Sequence, residues 1–171
     1  MATLNALMLP LTVLAAVGSA VIAGLLFAFS TSVMKALLQL PPEQGMAAMQ
    51  NINVTIQNPV FLGVFAGTAL LCAVLVLRAL LHANDAATWW LVVGAAAYLI
   101  GTFGVTMVFN VPMNNTLARA EASAAVAAVQ WPAYVGPWVR WNHLRTVMGV
   151  LAALSFTVAA VQWARAGASG A

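Results

Sequence analysis

The sequence has 171 residues, of which 64% are hydrophobic and only 5% are Asp, Glu, Lys or Arg. Its mean hydropathy is +0.98, whereas a water-soluble domain of this length needs a far more polar surface. The net charge of +3 is too small and too dispersed for the chain to bind nucleic acid.

Four apolar stretches are each long enough to cross a bilayer, which takes about 20 residues. None carries the polar stripe at helical spacing that a helix in a water-soluble bundle would show. The sequence therefore predicts an all-α fold, a four-helix transmembrane bundle that forms one domain over residues 1–171. The predicted spans are about 6–29, 59–81, 88–109 and 146–163.

The first span and the link after it have clear helix signals. No Lys or Arg precedes the span, and its apolar part exceeds the roughly 7–15 residues of a signal peptide, so we expect it to be retained. Pro41 and Pro42 end the first helix. Residues 43–56 are predicted to form a short helix with Met46, Met49 and Val54 on one side.

The second and third spans follow each other closely. Asn58 is placed to cap the second span, with Pro59 at its first helical position. Cys72, the one cysteine, lies inside that span and can form no internal disulfide. The stretch GVFAG, residues 63–67, fits a small-residue helix contact, and Gly94, Gly101 and Gly104 permit close approach in the third span. These glycines could equally serve self-association, so the oligomeric state stays open.

The link between the third and fourth spans is predicted to contain a second short helix. Asn114 or Asn115 would cap it, and its Ala-rich run TLARAEASAAVAAV extends to about Val129. Pro132, Gly136 and Pro137 are expected to break the chain before a fourth helix that begins near Trp138.

The two long links lie on the same side of the predicted membrane, which we call the loop face. Asparagines, arginines and one histidine are concentrated there although the chain is otherwise apolar, which predicts a shared polar pocket at this boundary. On a helix that begins near Trp138, the side chains of Trp138, Trp141, Asn142 and Arg145 share one face, and His143 lies beside it. Anchoring at the membrane boundary explains Trp138, Trp141 and Arg140 equally well.

Metal chemistry has few candidate ligands in this sequence. His82 and His143 fall on opposite sides of the predicted membrane, so they cannot share a metal ion. Glu43 and Glu121 are the carboxylates on the loop face, a poor set for a zinc or di-iron centre. No metal site is predicted, although a haem held by His143 as one axial ligand stays open, with only Met as a second ligand.

Three blocks resemble those of the anthrone-oxygenase-like family of small integral membrane proteins. They are FSTSVMKALLQLPPEQGMAAMQNINVTIQNPVF (residues 29–61), TFGVTMVFNVPMNNTLA (102–118) and WVRWNHLRT (138–146). The resemblance implies an oxidoreductase, a monooxygenase that converts an anthrone to an anthraquinone with O2, and supplies no established cofactor. The site residues it implies are Asn58, Asn110, Asn114, Asn115, Asn142, His143 and Arg145.

A mechanism consistent with these residues needs neither a metal nor a flavin, because the anion of an anthrone can react with O2 directly. His143 is the candidate base, since imidazole exchanges protons near neutral pH. Arg145 and the amides of Asn110, Asn114 or Asn142 would stabilise the oxyanion. A flat apolar wall for the substrate rings would come from Trp131, Trp138 and Trp141.

Two other functions remain open at this stage. The same pocket would suit a non-catalytic carrier of a small hydrophobic ligand, and mutually bonded polar groups would suit a structural membrane subunit. The Ala- and Val-rich composition favours a bacterial inner membrane. The expected partners are the lipid bilayer and a small hydrophobic aromatic substrate; the orientation in the membrane stays open because the positive charges do not decide it.

Overall fold

The structure, a computed structural model, describes residues 2–81 and 87–169. His82 lies outside the described residues. Within those ranges every regular element is helical, which confirms the all-α prediction. Four helices are long and apolar enough to cross a membrane: Leu7–Leu37, Pro59–Leu81, Thr88–Ala118 and Ala124–Arg165.

Helix α1 covers residues 2–37 and is followed by helix α2, Pro42–Thr55. The widened π-helical turn Phe29–Val33 interrupts α1. Pro42 starts α2, where its missing N–H costs no helical hydrogen bond, and α2 lies where the sequence predicts a short helix over residues 43–56. Gly45 lets α2 lie against the end of α1, because a Cβ there would stand 2.7 Å from the Leu37 carbonyl oxygen.

Helix α3, Pro59–Leu81, begins as the sequence predicts. The Asn58 Oδ1 accepts a hydrogen bond from the backbone N–H of Phe61 at 3.0 Å, which confirms the predicted cap. On α3, a Cβ at Gly63 or Gly67 would meet no atom within 4 Å, so the expected contact through GVFAG is not made within the described chain.

Helix α4, Thr88–Ala118, is longer than the predicted third span. It contains π-helical turns at Ala97–Gly104 and Thr106–Asn110 and then continues as a regular helix. The prediction that Asn114 or Asn115 caps a new helix is therefore wrong. The α4 carboxyl end is capped by Gln50 of α2, whose Nε2 donates to the Leu117 and Ala120 carbonyls at 2.8 and 2.9 Å.

Helix α5, Ala124–Ser169, passes without a break through Pro132, Gly136 and Pro137. The predicted break is wrong because tertiary packing outweighs the local cost of proline. The first turns of α5 bury Trp131, Tyr134, Val135 and Trp138 in a cluster with α1 and α2. Helices packed among other apolar helices also tolerate proline better than exposed ones.

The helices pack as two buried clusters. In the larger cluster, α5 packs along α1 and against α4, and α3 packs against α1 and α4. The predicted close approach at Gly94 and Gly101 is confirmed: a Cβ at Gly94 would stand 2.9 Å from the Phe156 ring, and one at Gly101 would stand 2.5 Å from the Met148 Cβ. The smaller cluster joins α2 to the end of α1 and the start of α5.

Candidate functional site

A cavity of about 320 Å³ lies where the two buried clusters meet. All five helices contribute to its walls. Its volume is at the lower end of the range for small-molecule sites, about 300–1,000 Å³. Most of the wall is apolar and aromatic, with Leu26, Phe29, Met49, Phe61 and Phe65 among the lining residues.

Arg145 is the charged residue of this wall. It is only 7% exposed. Its Nε donates to the Asn142 Oδ1 at 2.8 Å, its Nη1 donates to the Thr106 Oγ1 at 3.2 Å, and its guanidinium carbon lies 5.1 Å from the centre of the Trp138 ring. No carboxylate in the described part of the chain pairs with it. A buried cation held only by neutral dipoles and a ring face favours the binding of an anion.

Asn142 sets the orientation of Arg145. Its side chain is fully buried, and its Nδ2 donates to the Leu26 carbonyl at 2.7 Å and to the Ser30 Oγ. These two acceptors fix the amide so that its oxygen faces Arg145. Ser30 belongs to the π-helical turn of α1. Such widened turns are frequent at functional sites, and this one joins α1 to α5 beside the cavity.

Asn114 presents an amide nitrogen to the cavity. Its Oδ1 accepts hydrogen bonds from the Tyr134 hydroxyl and the Trp138 Nε1, both at 2.9 Å. An indole N–H can only donate, so the atom that faces it must be the amide oxygen. The Asn114 Nδ2 has no acceptor among the described residues, and the residue lines the cavity. It is therefore a donor available to a ligand.

Four polar residues of α4 follow each other at a spacing of four: Thr102, Thr106, Asn110 and Asn114. Each makes a hydrogen bond to α5. In a regular α-helix this spacing drifts by about 40° per step. The π-helical turns hold more residues per turn and so keep the series on one face. This four-residue repeat is the sequence signal that could have identified Thr106 as a residue of the cavity wall.

The structure brings six of the predicted site residues together. Arg145, Asn114, Asn115 and Trp138 line the cavity. Behind this wall lie the two buried amides, Asn142, which is bonded to Arg145, and Asn110, whose Nδ2 donates to the Trp138 carbonyl at 3.3 Å.

Four predicted site residues lie elsewhere: Asn58, Trp131, Trp141 and His143. The Asn58 amide is engaged in its helix cap, with Nδ2 donating to the Thr55 carbonyl at 3.1 Å. Trp131 is buried in the smaller cluster, under α2. Trp141 stacks on Phe109 with ring centres 3.6 Å apart, away from the cavity.

His143 is exposed on α5 and does not line the cavity. The expectation that its imidazole joins the amides and Arg145 is wrong. Successive side chains on an α-helix are about 100° apart, so an inward Asn142 turns its neighbour outward. The geometry gives His143 no contact with the cavity from which it could act as a base.

Asn53, which was not among the predicted site residues, also lines the cavity. The residue is 8% exposed. The helical spacing of α2 places Asn53 on the same face as Met46 and Met49. The prediction that Val54 lies on that face is wrong, because Val54 is 72% exposed. Among the residues that the structure describes, no group of three or more His, Cys, Asp or Glu could hold a metal ion.

Comparison with known protein families gives a match to this chain. The family model described as anthrone oxygenase matches residues 60–155, more than half of the chain. The matched segment includes Asn110, Asn114, Asn142 and Arg145, and it ends within α5. No curated protein and no solved structure matches the chain.

Proposed function

We propose that this chain, which belongs to the anthrone oxygenase family, is a membrane-embedded oxygenase acting on a lipophilic, anthrone-like aromatic. It would convert the methylene carbon of the central ring to a carbonyl with O2. The observation that carries the proposal is the buried Arg145, which has no acidic partner in the described chain and faces an aromatic-lined cavity. The family match and the four apolar helices support it.

The first step is ionisation of the substrate. Loss of a proton from the methylene carbon gives an anion whose charge lies largely on the carbonyl oxygen across the ring. The Arg145 guanidinium and the Asn114 Nδ2 are fixed donors for that oxygen, and both adjoin Trp138. Donors held in place in a poorly solvated site stabilise developing charge strongly. The anion is therefore the form that binds, and the proton leaves to water.

The second step consumes O2. The carbanion carbon bonds to O2, and the resulting peroxide takes up a proton. The remaining C–H proton then leaves while the O–O bond breaks, so that a carbonyl and water form. One oxygen atom enters the product and the other becomes water, and the substrate supplies all four electrons.

The apolar part of the wall positions the rings and excludes water. Phe61 and Phe65 stack with ring centres 5.6 Å apart, and Phe29 packs against Trp138 at 6.0 Å. Flat aromatic surfaces of this kind suit a fused-ring ligand. The cavity lies toward the loop-face ends of the four apolar helices, which would let a lipophilic substrate enter from the bilayer.

Oxygen uptake with an added anthrone tests the proposal. We expect the purified protein in lipid nanodiscs to consume one O2 per anthraquinone formed, and ¹⁸O2 to place one labelled atom in the product. Heat-unfolded protein measures the spontaneous reaction. Uptake no faster than that control contradicts an oxygenase, and anthrone binding without turnover indicates a carrier instead.

We expect His143→Gln to retain oxygen uptake within about twofold of the unmodified protein, since exposed substitutions away from a site have small effects. The side chain is exposed and does not line the cavity. Initial rates at saturating and limiting anthrone provide the measurement. A loss of turnover in a folded variant would restore the sequence-based assignment of His143 as the base.

A further inference from the structure

We infer that the substrate enters the cavity from the bilayer, through an opening between α3 and α4 that Leu62 and Met107 flank. Both residues line the cavity, and both are about half exposed, Leu62 at 45% and Met107 at 49%. They therefore join the inside of the cavity to the outer surface of the bundle. The class of ligand, a planar lipophilic aromatic, rests on the proposed function.

Helices α3 and α4 separate at the level of the cavity. Helix α3 packs mainly against residues Thr88–Gly104 of α4, where Phe65 stacks on Phe103 with ring centres 5.0 Å apart. One helical turn nearer the loop face, Leu62 follows on α3 and Met107 on α4. Helices that stayed in contact over this turn would bury both side chains. The partial exposure of both therefore marks a gap between the helices.

Hydrogen bonds explain why the helices separate here. Asn110 donates to the Trp138 carbonyl, and the Asn114 Oδ1 accepts from the Trp138 Nε1, so this part of α4 is tied to α5. Gln50 of α2 holds the carboxyl end of α4. At the start of α3, the Asn58 amide is engaged within its own segment of the chain. The end of α4 is thus held on α5 and α2, which leaves the gap beside α3.

The surface around the opening is apolar. Val60 of α3 and Val108 of α4 are exposed beside it, whereas the exposed polar residues of the cavity wall, Gln57 and Asn115, lie nearer the loop face. Exposed apolar side chains on a membrane-spanning helix contact the hydrocarbon of the bilayer. A lipophilic aromatic concentrates there, so this opening admits it without passage through water.

The aromatic rings next to the opening suit a flat ligand. Phe61, Phe65 and Phe103 form a continuous series, with interplanar angles of 10° and 25° between successive rings. A fused-ring ligand can therefore keep its plane against these faces as it moves inward. Met107 is unbranched and flexible, so its side chain can move aside as the ligand passes.

Obstruction of the opening tests this route. Leu62→Cys and Met107→Cys are each alkylated with N-benzylmaleimide in lipid nanodiscs; the native Cys72 is fully buried and should not react. Stopped-flow quenching of tryptophan fluorescence then gives the rates of anthraquinone binding and release. An obstacle in the route raises one barrier that entry and exit share. We therefore expect alkylation to slow both rates about 10-fold and to keep Kd within about twofold.

Val108→Cys is the matched control, because Val108 is exposed beside Met107 and does not line the cavity. Its alkylation should leave both rates unchanged. Asn115→Cys tests entry from the water side of the cavity. Each variant is measured before and after alkylation, so that a folding defect caused by the substitution itself appears in the first measurement.

Three outcomes overturn the inference: unchanged rates after complete alkylation at both positions, slowing only in Asn115→Cys, or a weaker affinity with an unchanged binding rate. Oxygen uptake by the unmodified protein, measured in parallel, reports on the proposed function separately, because anthraquinone binds without turnover. Oxygen uptake together with unchanged rates in the alkylated variants rejects the route alone. Slowed rates without any oxygen uptake support the route and reject the oxygenase.

Discussion

Arg145→Met lowers the rate of anthrone turnover by about 100-fold or more, the usual cost of removing one donor that stabilises an oxyanion. Met fills much of the same volume but carries neither charge nor N–H groups. Arg145 has no acidic partner among the described residues, so its positive charge is available to the substrate anion. Steady-state oxygen uptake gives the rate, and anthraquinone binding reports whether the cavity is intact.

Stability separates this loss of catalysis from misfolding. Removing a buried, unpaired charge often leaves stability unchanged or raises it, although here the Asn142 Oδ1 loses its donor. Arg145→Lys keeps the charge but cannot reproduce the planar set of donors, so an intermediate rate is expected. Arg140→Met, at an exposed position of the same helix, is the matched control. Near-normal turnover by folded Arg145→Met contradicts the proposed mechanism.

Features set by composition or by neighbouring residues could be predicted from the sequence. The four apolar helices are predicted by runs of apolar residues that are long enough to cross a bilayer. The Asn58 cap is predicted by the local pair Asn58-Pro59. The meeting of Asn114 with Arg145 at one end of the molecule could also be anticipated. The link after the first span and the link after the third span are separated by two membrane crossings. They therefore lie on the same side, whichever way the helices are arranged.

The remaining features depend on tertiary contacts that no local pattern specifies. Helix α5 begins at Ala124 because Trp131 and Tyr134 are buried against α1 and α2, which outweighs the helix-breaking tendency of Pro137. The outward position of His143 follows from the rotation of α5, which Asn142 fixes through its bonds to α1. That rotation is set by packing between residues more than 100 positions apart.

Asn142→Asp is expected to reduce turnover about as strongly as removal of Arg145 itself, on the order of 100-fold. The carboxylate would accept from the Arg145 Nε as the amide oxygen does now, at 2.8 Å. It would also neutralise the guanidinium within an ion pair, so the cavity would lose its positive potential while Arg145 stays in place. Measured oxygen uptake would then fall although every cavity-lining residue is unchanged.

The effect of Asn142→Asp must be distinguished from the loss of the bonds that Asn142 donates to α1. Ser30→Ala is the matched control, because it removes one acceptor of the Asn142 amide and leaves the Leu26 carbonyl in place. Interhelical hydrogen bonds among apolar helices contribute about 0.6 kcal/mol on average, so this variant should stay folded and active. If Asn142→Asp is folded and turns over anthrone at the rate of Ser30→Ala, the charge of Arg145 is not what drives ionisation of the substrate.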